Sequence, residues 1–257
     1  MRKKAFFISD LHLGAAYSDN SRETEHRVVR FLDSIKREAR ELYLLGDILD
    51  YWFEYRHVVP RGFVRFFGKL AELSDAGVKI TWLIGNHDIW IFDYIPSELG
   101  VEVVDGIIEK EIMGTKFCMQ HGDAVCGDRK FRFLRALFRN KVCQKLYSGI
   151  HPRWTVGFAF SCSRRSRLGK RGMAPEDGPL LGEIKEWVKS QISAGNDARY
   201  FLFGHLHLSH KEKLGEESEL IVLPDWPSKG GYGTFDGEKF ELLNFDFGEL
   251  KNDEEGH

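Results

Sequence analysis

The chain of 257 residues has no apolar run approaching the roughly 20 residues that a membrane-spanning helix needs. It has almost no net charge, −2 at pH 7, so overall electrostatics select no partner. Its four cysteines, Cys118, Cys126, Cys143 and Cys162, form no C-x-x-C pair, which argues against a structural zinc site and fits reduced thiols. Internal repeats and low-complexity tracts are missing as well. The basic start, Met1 to Lys4, lacks the apolar stretch and small-residue cleavage site of a signal peptide, so the expected address is the cytoplasm. With 42% hydrophobic and 30% charged residues, the composition supports one large α/β core or two small ones.

Short apolar runs alternate with helical patterns in the first half. Lys4 to Ser9, Leu42 to Leu45 and Lys79 to Ile84 read as buried strands. Between them, the periodicity predicts helices over Glu23 to Arg40 and Phe63 to Ala76, the second capped by Gly77. Strands alternating with helices point to a layered α/β fold. In the second half strands are expected at Val101–Val104, Ile107–Ile112, Lys116–Gln120, Arg199–Phe203, Glu219–Leu223, Gly231–Phe235 and Phe240–Phe245, in a more antiparallel sheet. The acidic tail from Gly248 to His257 reads as disordered.

One segment breaks this rhythm. Cys126 to Gly172 holds 13 Lys or Arg against a single acid, Asp128, a formal +12 in a chain of net −2. Phe131, Phe133, Leu134, Leu137, Phe138, Val142, Leu146 and Tyr147 interleave with the charges at near-helical spacing. The expected organisation is therefore a single domain over 1–247, interrupted at about 126–172 by a basic helical cap.

Five of the apolar runs end in residues that bind metals: Asp10-x-His12, Gly46-Asp47, Gly85-Asn86-His87-Asp88, His121 and Gly204-His205-x-His207. In open α/β sheets ligands bind beyond the carboxyl ends of the strands, so these residues are expected to converge. Glycine beside a ligand permits close backbone approach. Each fragment alone is weak, since a lone Asp is as easily a helix cap and a lone Asn a turn residue. Together they form an ordered set of carboxylates, imidazoles and one amide. Such mixed donors suit Mn, Fe or Zn better than Mg, with Mn expected first. Two ions about 3.5–4 Å apart need a shared carboxylate, and Asp47 lies in the middle of the set. Asp88 reads equally as a partner that orients His87 or a neighbouring ligand and as a plain loop hydrogen-bond acceptor.

In this order, D-x-H, G-D, G-N-H-D, H-G-D and G-H-x-H resemble the signature of the calcineurin-like metallophosphoesterases across roughly residues 5 to 245. The resemblance implies a four-layer αββα sandwich and two metal sites. Asp10, His12, Asp47 and His207 would form one, and Asp47, Asn86, His121 and His205 the other. It also implies attack by hydroxide in line with the phosphorus, with His87 protonating the leaving oxygen or stabilising the transition state.

A narrower likeness rests on His121-Gly122-Asp123-x-x-Cys126-x-Asp128 before a basic, Phe-rich insert, on Leu223-x-Asp225-Trp226, and less specifically on Gly46-Asp47-x-x-Asp50-x-Trp52. These resemble the UDP-2,3-diacylglucosamine diphosphatases of lipid A synthesis. The implied reaction cleaves the pyrophosphate of a nucleotide-sugar lipid to UMP and a lipid-sugar 1-phosphate. Phe131, Phe133, Leu134, Leu137 and Phe138 are then expected to line an acyl groove. Arg129, Arg132, Arg135 or Arg139 would face phosphate or lipid, with Asp128 also on the substrate side. The cap would rest on the inner membrane surface, and no protein partner is implied. One position departs: the best-known branch of that group has Arg where this chain has His87. A general phosphodiesterase or phosphatase acting on nucleotides or cyclic nucleotides, and a nuclease whose cap follows nucleic acid, are the competing readings, although nucleic acid fits the cap less well.

Overall fold

The computed structural model describes residues 2–15, 21–126, 129–157 and 178–247. Among the described residues, eleven strands form two sheets. The first has six strands in the order β11-β10-β1-β2-β3-β4: β1 (Lys4–Ile8), β2 (Ala39–Leu44), β3 (Lys79–Leu83), β4 (Glu102–Val104), β10 (Gly231–Phe235) and β11 (Phe240–Asn244). The second runs β5-β6-β7-β9-β8: β5 (Ile108–Ile112), β6 (Thr115–Gln120), β7 (Tyr200–Phe203), β8 (His210–Lys213) and β9 (Glu219–Val222).

Strand alternation sorts the core into three apolar layers. Phe6, Ile8, Leu42, Leu44, Ile80 and Trp82 face outward from the first sheet. They meet α1 (Ser21–Ile35), α2 (Val64–Asp75) and α3 (Tyr94–Leu99) through residues such as Phe31, Phe66 and Ile95. Ala5, Phe7, Tyr43 and Leu83 face the other way, onto Phe117, Met119, Tyr200 and Leu202 of the second sheet. The outer face of that sheet, with Cys118, Phe201, Phe203 and Val222, is covered by Leu181, Ile184 and Val188 of α6 (Pro179–Ser193). Helix, sheet, sheet, helix is the expected αββα sandwich.

Three expectations need correction. The first helix ends at Ile35, not Arg40. Ala39 already pairs with Lys4 in the sheet, and the Glu38 carbonyl accepts from Lys3 and Lys4 N–H, so those backbone groups are committed to strand pairing. The second sheet is mixed: β6, β7 and β9 run parallel, and only its edges β5 and β8 are antiparallel. The C-terminal hairpin β10–β11 joins the first sheet beside β1 instead. α3, α6 and the edge strand β8 were not anticipated.

In the basic segment, α4 (Arg129–Arg139) and α5 (Lys141–Ser148) are described, and residues 152–157 are helical. Asn140 caps α5, its side chain accepting from Val142 and Cys143 N–H. Tyr147 stacks on Trp90 at 4.8 Å, and Trp90 Nε1 donates to the Phe138 carbonyl at 2.9 Å. Asp128, residues 158–172 and the tail from 248 lie outside the described residues, as do the side chains of Arg129 and Phe131. Among the described residues, no helix is long and apolar enough to cross a membrane.

Helix α2 opens on Phe63, whose side chain cannot cap it. The near-buried Glu25 of α1 does so from across the layer, accepting from Arg65 N–H at 3.0 Å and Phe66 N–H at 3.2 Å. Glu25→Ala is expected to destabilise the fold by about 1–2 kcal/mol, read as a lower urea midpoint with an unchanged slope. An unshifted midpoint would show that the cap contributes nothing.

Candidate metal centre

The five strands that carry the motifs, β1, β2 and β3 in one sheet and β6 and β7 in the other, are parallel within their sheets. Their carboxyl ends open on one edge of the sandwich, and the loops beyond them are laced together. Asp10 N–H donates to the Gly46 carbonyl, His12 N–H to the Asp47 carbonyl, and Gly204 N–H to the His121 carbonyl. Asp10 Oδ2 accepts from His205 N–H at 3.0 Å, joining residues 195 apart in sequence.

Asp10, His12, Asp47, His205 and His207 all sit in the left-handed region, with φ between 44° and 69°. Such backbone costs a side-chain-bearing residue on the order of 1 kcal/mol or more, and it concentrates where function demands it. The lacing described above holds these residues there. Glycine matters most at two points. A Cβ on Gly85 would lie 2.2 Å from Asp47 Oδ1, and one on Gly204 would lie 2.0 Å from Ser9 Oγ. Neither position has room for a side chain.

The donor atoms form three overlapping groups: Asp10, His12 and His207; His12, Asp47 and His87; Asp47, His121 and His205. Nε2 of His12 and Nε2 of His207 each lie 3.7 Å from Asp10 Oδ1, a buried oxygen that makes no hydrogen bond. Asp47 Oδ2 is 3.8 Å from His12 Nε2 and 3.4 Å from His121 Nε2. His121 Nε2 is in turn 3.3 Å from Asn86 Oδ1 and 3.2 Å from His205 Nδ1. Bonds of about 2.0–2.2 Å to one cation place neighbouring donors roughly 3–3.5 Å apart, which the spacings around His121 match, while those around Asp10 and His12, at 3.7–3.8 Å, are too long for direct hydrogen bonds and a little wider than that window. All seven residues expected as ligands are thus brought together, with Asp47 common to two groups. The oxygen and imidazole donors fit divalent transition metals.

Each carboxylate and imidazole alters the other. Burial opposes the charge on Asp10, but His207 and His12 hold it below the usual carboxylate range. Asp47 is likewise buried, yet His121 and His87 hold it well below that range. Burial alone would lower the His121 imidazole, whereas the Asp47 carboxylate beside it, helped by Asp10 and Asp123, pushes it up to about 10.

The other expected residues divide. His87 stands at the rim, its Nε2 4.0 Å from Asp47 Oδ2 and its Nδ1 3.0 Å from the Asp50 carbonyl. Asp88 does not orient His87. Its oxygens accept from Gly85 N–H, Ile48 N–H and the Trp82 indole, which ties the G-N-H-D loop to the loop after β2. Asp50 is the residue that faces His87, and it was not expected as a site residue. Its buried Oδ1 lies 3.4 Å from both His12 Nδ1 and His87 Nδ1. The available signal was a lone carboxylate in the apolar run Ile48 to Phe53.

Of the cap residues, Arg135 is diverted from any ligand: its Nε donates to the buried Asp123 carboxylate at 2.7 Å. Arg139 is likewise engaged, with Asp105 at 3.0 Å. Phe138 packs edge-on against Trp90, while Arg132, Phe133 and Leu137 stand exposed. Trp226 is buried against Phe31, so that part of the L-x-D-W likeness is a packing feature.

A family model described as calcineurin-like phosphoesterase matches residues 3–209. The chain belongs to the calcineurin-like phosphoesterase family. As a phosphoesterase of this family it is a metal-dependent hydrolase, and its relatives carry names that agree. It is 39% identical over 260 residues to a UDP-2,3-diacylglucosamine hydrolase of Porphyromonas gingivalis, covering 94% of this chain and 97% of that one. A protein of the same name from Neisseria meningitidis is 30% identical over 228 residues, covering 87% and 90%. The solved structure of an archaeal phosphodiesterase aligns with a TM-score of 0.47 at 12% identity, covering 94% of this phosphoesterase and 99% of that chain.

A histidine binds a cation only when neutral, so the raised His121 sets a pH dependence. At neutral pH the arriving cation must displace a proton, and uptake is expected to release protons and tighten as pH rises. Calorimetric titration with Mn²⁺ at pH 6.5 and 8.0, in buffers of different ionisation heat, reads both effects. Uptake equally tight at both values, with no proton released, would contradict the assignment.

Proposed function

We propose that this phosphoesterase hydrolyses the pyrophosphate of UDP-2,3-diacylglucosamine, releasing UMP and 2,3-diacylglucosamine 1-phosphate for lipid A synthesis. The observation that carries this is the convergence of seven donor residues at five strand ends, in a chain 39% identical over nearly its whole length to a hydrolase named for that substrate.

Asp10, His12, Asp47 and His207 would hold one ion, and Asp47, Asn86, His121 and His205 the other, with manganese the first candidate. When bound, two divalent cations supply Lewis acidity toward phosphoryl oxygens and make a water acidic enough to ionise near neutral pH. The remaining steps fall to the protein. Asp47 balances charge between the two positions. The Asp50 carboxylate faces both rings, its Oδ1 3.4 Å from the Nδ1 atoms of His12 and His87, and its carbonyl is hydrogen-bonded to His87 Nδ1. With His87 Nδ1–H donated to the Asp50 carbonyl, Nε2 is the atom left to meet the substrate. A water that attacks one phosphorus makes the new P–O bond, and the Nε2 proton of the imidazolium form of His87 passes to the bridging oxygen as its bond to that phosphorus breaks.

The exposed surface of the cap supports a lipid substrate at a membrane. Phe133, Val142, Leu146 and Trp154 are 67–70% exposed. Arg132, Lys141, Lys145 and Arg153 are exposed among them. Apolar side chains interleaved with cations suit an anionic lipid interface. Beside α5, Phe53, Tyr55, Arg56, Phe92 and Lys145 line a cavity of about 310 Å³. We place the protein in the cytoplasm with its cap on the inner membrane face, as one domain with a cap inserted at about 126–172.

The substrate is tested by assaying the Mn²⁺-loaded protein on UDP-2,3-diacylglucosamine, bis-p-nitrophenyl phosphate and cyclic AMP. Turnover of the first is expected to exceed the others by orders of magnitude, and to vanish with metal content in Asp47→Ala. Equal or faster turnover of cyclic AMP would replace this reading with a general phosphodiesterase, a role the His87 position also fits.

Membrane docking has a separate test. Vesicles rich in anionic lipid are expected to sediment the protein at low salt and to release it at about 0.5 M salt, where screening is short-ranged. Trp154→Ser with Leu146→Ser is expected to weaken that binding several-fold. Wild-type protein that stays in solution with anionic vesicles would rule the docking out.

A further inference from the structure

The geometry points to Arg139 as a positioning residue that holds the loop bearing Asn86 in place from the cap helix α4, coupling the cap to the metal centre. This rests on the metal-centre reading above and extends it to a residue outside the ligand set.

Arg135 and Arg139 are one helical turn apart on α4 and point the same way. Both engage Asp123, which lies two residues after His121 and has a side chain only 4% exposed. Arg135 Nε donates to Asp123 Oδ2 at 2.7 Å, and Arg139 Nη1 lies 3.3 Å from the same oxygen as an ion pair without a hydrogen bond. The rest of the Arg139 fork is also engaged. Its Nε donates to Asp105, and its Nη2 donates to the Gly85 carbonyl at 3.3 Å. One guanidinium therefore bridges the His121-Gly122-Asp123 loop to the Gly85-Asn86-His87 loop.

Gly85 is where this contact matters. Its N–H is held by Asp88 Oδ1 at 2.7 Å. Its Cα is wedged so closely against Asp47 that a Cβ would collide with the Asp47 carboxylate. Its carbonyl, the remaining polar handle, points to Arg139. The next residue is Asn86, whose Oδ1 lies 3.3 Å from His121 Nε2. On the far side of the same loop, the Trp90 indole donates to the Phe138 carbonyl at the end of α4. The last turn of α4 thus grips the loop at Gly85 and Trp90, before and after Asn86-His87. A planar fork with donors in several directions reaches Asp123 and the Gly85 carbonyl together, which a lysine ammonium cannot, whereas its pair with the half-exposed Asp105 lies outside that bridge.

Groups that orient metal ligands typically change metal affinity or activity by about 10–100-fold when removed. The test compares Arg139→Met, Asp105→Asn and wild type for Mn²⁺ affinity by calorimetry. It also compares kcat and KM on bis-p-nitrophenyl phosphate, which has no acyl chains for the cap to hold. Arg139→Met is expected to bind its weaker Mn²⁺ equivalent at least about 10-fold less tightly. It should also lower kcat on the small diester with little change in KM, while Asp105→Asn matches wild type. Wild-type Mn²⁺ affinity and kcat in Arg139→Met would overturn the inference, even if lipid turnover falls. An equal loss in Asp105→Asn would overturn it too, by moving the effect to the exposed pair. If Arg139→Met does not fold, Arg139→Lys is measured instead: weakened Mn²⁺ binding supports the inference and wild-type binding overturns it. A wild-type protein that takes up no Mn²⁺ pair would sink the metal-centre reading itself, a separate result.

Discussion

Two carboxylates, Asp10 and Asp47, are taken almost entirely out of water and set among imidazoles 3.4–4.0 Å away. Removing an ionised carboxylate from water costs several kcal/mol, and only nearby positive charge offsets it. Protons on the surrounding histidines meet that need in part, which is why the carboxylates and His121 shift in opposite directions. Divalent cations meet it more fully. The left-handed loop residues and the two glycines without room for a Cβ follow from the same requirement, since they let donors from different strands face a common point.

The sandwich supplies the geometry that this requires. Parallel strands adjacent in a sheet deliver their carboxyl ends side by side. Here β1-β2-β3 and β6-β7 do so in two stacked sheets, so ligands approach from both. Asp47 comes from one sheet and His121 from the other, and they meet at 3.4 Å. This explains how donor residues spread over nearly 200 positions come together without a local motif.

Much of this convergence was legible in the sequence because each of the five motifs begins where an apolar run ends, and most have a glycine at that end. The strand ends before Asp10, Asp47, Asn86, His121 and His205 were readable for that reason. Asp50 stood in the G-D-x-x-D-x-W run but not among the expected site residues, because nothing local tells a carboxylate that faces two imidazoles from an ordinary loop acid. Of the two roles open to Asp88 the folded chain shows the loop hydrogen bond, and the choice was not legible because its partners, Ile48 N–H and the Trp82 indole, are distant contacts. Helix α6 carries a readable stripe in Leu181, Ile184 and Val188, whereas β8 reads His-Lys-Glu-Lys, with no apolar face to reveal an edge strand. The basic segment was visible as a charge anomaly. That Arg135 and Arg139 turn toward Asp123 and Asp105 instead of a ligand depends on acids distant in sequence.

The account depends most on a pair of cations sharing Asp47. Crystals of the Mn²⁺-loaded protein, measured at the manganese absorption edge, test it most directly. Two anomalous peaks roughly 3.5–4 Å apart are predicted, with the Asp47 carboxylate between them. A single peak, or two peaks of which only one touches Asp47, would contradict it.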